Sequence, residues 1–117
     1  MKVLFFVLNK PEKLDDVLVE FVNRNINGAT VIDSAGMARI LCHKHDNDEI
    51  PFLGSIRAYL YPEREKSNLI ITVIEDHQLD GAIEAIELVV GDLSKKDTGI
   101  VFSVPIDFVK GIYKSGK

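Results

Sequence analysis

The chain has little of several things that would decide its class at once. It holds one cysteine, no tryptophan, three histidines and four prolines in 117 residues. The lone Cys42 excludes an internal disulfide and is expected in a reducing compartment. Few prolines and glycines argue against a disordered or linker-like chain. Excess positive charge is also missing: 14 Lys and Arg face 18 Asp and Glu, for a net charge of -4. General nucleic-acid affinity, which needs phosphate-neutralising Lys/Arg clusters, is therefore not expected. Long apolar runs are absent. The stretch VLFFVLN (3–9) gives out before Lys10 and Pro11, too short to span a bilayer and with no small-residue cleavage site after it. A cytoplasmic protein is the expectation.

What is present fits one compact domain over residues 1–117, with 46% apolar and 27% charged residues and room for one core. Residues 2–9 are β-branched and aromatic, with Val3, Phe5 and Val7 on one parity and Leu4, Phe6 and Leu8 on the other. Pro11 suits a first helical turn. Leu14, Val17, Leu18, Phe21 and Val22 follow at helical spacing, with Glu12, Lys13, Asp16, Glu20 and Arg24 on the wet side. Asn27-Gly28 is expected to end that helix, and Gly28 and Gly36 read as turn residues with φ > 0. ATVIDSA is a weaker strand. Residues 36–67 carry no sustained period, although IRAYLY (56–61) alternates enough to be extended. Such a long loop in a small domain is usually functional. LIITVI is then a strand apolar on both faces apart from Thr72. Asp76 is the N-cap candidate for a second helix with a stripe of Leu79, Ala82, Ile83, Ile86, Val89 and Val90. Its wet side is Asp80, Glu84 and Glu87. GDLSKKDTG (91–99) is a polar turn, IVFSV a last strand closed by Pro105, and 106–117 a tail.

The order β-α-β-loop-β-α-β gives an α+β chain of two split βαβ halves. It is expected to close as a four-stranded antiparallel sheet with both helices on one face, the ferredoxin-like sandwich. Two helices cover one face only, yet three of the four strands are apolar at both parities. A half-solvated antiparallel strand should alternate. Burial of the second face against other copies of the chain, in a closed symmetric assembly, resolves the conflict. A cover made by the long loop and tail folding back is the alternative.

Several segments resemble, in order, the PII signal-transduction family of nitrogen-regulatory trimers. KPEKLDDVLVEF is similar to the family's Lys-Pro-x-Lys-Leu-x-x-Val start of the first helix. INGATVIDSAGMAR resembles the Gly-x-Thr-Val strand that leads through Gly-x-Gly-Arg into the large T-loop. IITVIEDHQLDGAIEAI resembles the third strand and second helix, and TGIVFSVPID the strand after the nucleotide-binding B-loop. Only residues 40–66 fall outside the likeness. The resemblance implies a homotrimer with a T-loop at about 37–58, a B-loop-like turn at 91–99 and no enzymatic activity. It also implies adenine nucleotides (ATP, ADP or AMP) in the clefts between subunits. No cofactor is required.

Carried over residue by residue, the nucleotide contacts are Gly36, Met37, Arg39, Lys95, Lys96, Gly99 and Lys110. Here GMAR (36–39) keeps the first glycine and the arginine, with Ala38 in place of the second glycine and Ile40 in place of the usual Gln. DLSKKDTG has one glycine where the family's B-loop has several, and Ile112 stands at a second basic position. These departures imply altered or weakened nucleotide binding. The tyrosine modified at the T-loop tip in some members has no match, since IPF (50–52) occupies that region. His45, Ile50, Pro51 and Phe52, a polar arm with an apolar tip, are the candidate docking residues for a protein partner, a membrane transporter or a metabolic enzyme. Cys42, His43, His45 and Asp46 include metal-donor types, but no second Cys/His pair completes a four-ligand set. A solvated loop is the plainer reading. A metal-binding trimer of the divalent-cation-tolerance type, using 42–46, is the rival. A small oligomeric enzyme on this scaffold is a third, which no acid–base pair supports.

Overall fold

In the computed structural model of the chain, residues 1–37, 40–41, 66–95 and 98–112 are described. The elements are β1 (Lys2–Leu8), α1 (Leu14–Asn23), β2 (Thr30–Ser34), β3 (Ser67–Ile74), α2 (Leu79–Val90) and β4 (Gly99–Pro105). The strands form one antiparallel sheet in the order β2-β3-β1-β4. Two helices and this strand order are compatible with the ferredoxin-like plan.

Alternation within the strands decides where the core sits. Leu4, Phe6 and Leu8 of β1 and Ile70 and Ile74 of β3 are buried, and they share a cluster with Val17 and Phe21 of α1 and Ala82, Ala85, Ile86 and Val90 of α2. Both helices therefore cover the same sheet face. Burying each of the larger side chains contributes about 1.5–3 kcal/mol. Asn68 and Thr72 are buried polar residues on this face, 8% and 3% exposed, and the Thr72 hydroxyl donates to the Gly28 carbonyl. That bond ties the α1–β2 connection to the central sheet. Thr72→Val, which keeps the shape and removes the donor, is expected to cost about 1 kcal/mol. A fall of several degrees in Tm checks it, and an unchanged Tm would show that the bond contributes nothing.

Four local expectations are corrected. The first helix ends at Asn23 with Arg24 as its C-cap, and the chain turns through Asn25 at φ 63 rather than at Asn27-Gly28. Asparagine tolerates the left-handed region because its short amide side chain bonds locally. The positive-φ glycines among the described residues are Gly91, Gly99 and Gly111, so Gly28 and Gly36 are not left-handed. Val22 is exposed rather than packed, while Arg24 is half-buried and donates from its guanidinium to the Gly81 carbonyl at 3.1 Å, joining the two helices. The second helix starts through a turn of 3₁₀ helix, Asp76–Gln78, whose capping box is made by Glu75 and Gln78. Asp76 instead pairs with the Met1 amino group at 3.2 Å. At the other end of α2, Lys10 donates to the Val90 carbonyl at 3.0 Å. It supplies the cation that the last turn lacks and that the helix dipole favours there.

Among the described residues, no helix lies over the second sheet face. Val3, Phe5 and Val7 of β1 lie between Leu69, Ile71 and Val73 of β3 and Ile100, Phe102 and Val104 of β4. Phe5 and Phe102 stack with centroids 4.9 Å apart. Ile32 extends this surface on β2. Ile32, Ile100, Phe102 and Val104 are 45%, 58%, 49% and 42% exposed. Edge strand β4 thus presents its apolar row to solvent.

Candidate functional site

The sheet register places the two candidate loops. Asp33 pairs with Asn68, Asn68 with Leu8, and Leu8 with Gly99, so these four residues form one row across the sheet. Gly36 and Met37 follow the β2 end of that row, and the 91–98 turn precedes its β4 end. Both loops therefore leave the same end of the sheet. They do so from opposite edges, three strand spacings or about 14 Å apart. Lys110 lies beyond Pro105, which pairs with Lys2 at the opposite end of β4. A single chain thus gathers Gly36 with Met37, and Lys95 with Gly99, and brings neither pair to the other.

At the β2 edge the long connection is closed by side chains. The Ser34 and Ser67 hydroxyls lie 2.9 Å apart, the Ser67 hydroxyl reaches the Ser34 carbonyl at 3.1 Å, and the Asn68 amide donates to Asp33 at 3.3 Å. These bonds tie the two strand ends between which residues 35–66 run. The Ile40 N–H donates to the Gly36 carbonyl at 3.1 Å, shortly after β2. Met37 is 77% exposed there.

At the β4 edge the turn satisfies itself. The Leu93 N–H donates to Glu87 Oε2 at 3.0 Å, and the Ser94 N–H and hydroxyl donate to Asp92 Oδ1 at 2.9 and 2.8 Å. The Lys95 N–H donates to the Asp92 carbonyl at 3.0 Å. The Ser94 backbone and hydroxyl bonds hold the Asp92 carboxyl below its ordinary pKa. Gly99 sits at φ 136, and a Cβ on it would lie 2.6 Å from the Val7 carbonyl oxygen and 2.9 Å from Phe6 Cε1. The glycine has a packing reason that requires no ligand.

Sequence reasoning did not reach the Glu87–Leu93 bond, the Ser34–Ser67 pair or Lys10 at the end of α2. The Asp-x-Ser spacing of Asp92 and Ser94 was a readable turn signal. The serine pair needs the strand register, which sequence pattern does not supply. Arg39, Lys96, Cys42, His43, His45, Ile50, Pro51 and Phe52 lie outside the described residues. Among the described residues, no group of three or more His, Cys, Asp or Glu side chains is placed to hold a metal ion. No described helix is long and apolar enough to cross a membrane. A shallow groove between the helices, lined by Lys13, Asp16, Val19, Glu20, Leu88 and Val89, includes none of the predicted residues.

The described residues define an α+β protein with a four-stranded antiparallel sheet and two helices. Compared with known proteins, the chain matches no family model and no curated relative.

Proposed function

We propose that the protein is a trimeric, non-enzymatic regulator of the PII-like kind, which senses a small ligand between subunits and controls a partner through the loop at 37–58. The ligand is an adenine nucleotide, and the partner a membrane transporter or a metabolic enzyme in the cytoplasm. The observation that carries this reading is the open apolar sheet face, with Ile100, Phe102 and Val104 in solvent on an edge strand. Copies packed on that face exclude water from it.

A second point supports the same assembly. Of the residues carried over as nucleotide contacts, Gly36 with Met37 and Lys95 with Gly99 lie at one end of the sheet on opposite edges, while Lys110 follows the other end of β4. In a ring of head-to-tail copies, one edge of each subunit meets the other edge of the next. The Gly36–Arg39 segment of one copy then meets the Lys95–Gly99 turn of its neighbour, and the cleft exists only in the assembly. Ligand binding that favours one arrangement of the 37–58 loop moves its population by the difference in affinity.

Thermal stability measured against ATP, ADP, AMP, zinc, copper and nickel tests the reading. A nucleotide at about a hundred times its Kd should add about 2.7 kcal/mol. The gain should vanish in Arg39→Ala or Lys96→Ala. Stabilisation by metal alone, lost in a His43→Ala/His45→Ala variant, would replace the sensor with the metal-binding rival.

A further inference from the structure

We infer that Glu87 and Asp92 determine which ligand the proposed cleft accepts: they fill the anion seat of the 91–95 turn and so favour a single phosphate group over a polyphosphate tail. The inference rests on the nucleotide-cleft reading and narrows its ligand.

A turn that cradles phosphate does so with successive backbone N–H groups that have no other acceptor. The turn before β4 has three successive donors, at Leu93, Ser94 and Lys95, and all three are already engaged. Two of their acceptors are carboxylate oxygens, Glu87 Oε2 at 3.0 Å and Asp92 Oδ1 at 2.9 Å. The third is the Asp92 carbonyl at 3.0 Å. The seat therefore already holds negative charge. A phosphate chain laid along it would have to displace these carboxylates from their donors and then remain beside them, where like charges repel.

Both acids have local reasons to stay. Asp92 keeps two bonds from Ser94, which also hold its carboxyl in the ionised form. Glu87 lies in the last turn of α2, where the helix dipole disfavours an anion, and the Leu93 N–H compensates it. Lys95 offers one point charge on a flexible stem. That suits a single phosphate held clear of the turn, since lysine binds phosphate without requiring a fixed geometry.

The test uses the intact protein and two inorganic probes, phosphate and tripolyphosphate, titrated by calorimetry into the wild type and a Glu87→Gln/Asp92→Asn variant. Both side chains are at exposed positions, both replacements are isosteric, and asparagine retains the Asx turn, so the fold is expected to persist. Wild type should bind tripolyphosphate no more tightly than phosphate. The variant should bind tripolyphosphate at least about tenfold more tightly than wild type, the factor that roughly 1.4 kcal/mol corresponds to. A wild type that prefers tripolyphosphate, or a variant that gains nothing, overturns the inference. Failure of the cleft reading shows elsewhere, as a chain that no adenine nucleotide stabilises. The tripolyphosphate comparison still decides the seat in that event.

Discussion

If copies pack on the apolar sheet face as proposed, Phe102→Asp is expected to separate them while leaving each chain folded. Phe102 is half exposed in the single chain and stacks on Phe5, between Ile100 and Val104 on the same strand. A carboxylate at a half-exposed edge position remains hydrated, so an isolated chain would lose little beyond one ring contact, about 0.5–1.5 kcal/mol. In an assembly packed on this face, the same carboxylate is buried against apolar side chains with no partner. An unpaired buried charge costs several kcal/mol. Closed symmetry repeats that cost at each interface, so dissociation at micromolar concentration is expected, with unchanged helix content. Sedimentation velocity and circular dichroism read the two halves of this result. A variant that sediments as the wild type does would place the interface elsewhere.

The second large effect is on folding itself. Gly99→Ala would set a Cβ 2.6 Å from the Val7 carbonyl oxygen and 2.9 Å from Phe6 Cε1, at a φ of 136. Neither neighbour yields easily: one is ladder backbone, and Phe6 is fully buried in the core. Strain in a glycine-only backbone region costs about 1–3 kcal/mol. Overpacking adds about 1–3 kcal/mol. Total stability for such domains is about 5–15 kcal/mol, so the variant is expected to lose ten degrees or more in Tm. The measurement also separates two roles for this glycine. Loss of stability without any ligand marks it as a packing requirement. A variant that melts like the wild type but no longer responds to nucleotide would restore Gly99 as a ligand contact.

Much of the fold was legible because period and burial agree in this chain. The strands at both parities, the two amphipathic stripes apart from Val22, and the polar turn at 91–95 appear where pattern places them. The misreadings share one cause. A local signal was assigned to its strongest local residue, whereas the sheet brings a distant group to it. Asp76 is a good cap by type, but the sheet places the Met1 amino group beside it, and Glu75 with Gln78 takes the cap. Gly28 is a good turn residue by type, yet Asn25 turns the chain and the Gly28 carbonyl is held by Thr72 from β3. Arg24 has the composition of a wet helix face, and only the packing of α2 against α1 gives it the Gly81 carbonyl.

The candidate site was less legible for the same reason at larger scale. Its residues are near neither one another nor a common cavity in sequence. That 36–37 and 95–99 share one end of the sheet follows only from the strand order and register. The carboxylates facing the turn's N–H groups are likewise a matter of geometry. Glu87 reads as one more wet residue on a helix until Leu93 is found donating to it.

Sedimentation equilibrium of the unmodified protein at micromolar concentration tests most directly the proposed burial of the sheet face between copies. The account predicts one species of three times the 13.1 kDa chain mass, persisting on dilution. A stable 13.1 kDa species with its β4 row in water would contradict it, and the cleft between subunits would have no place to form.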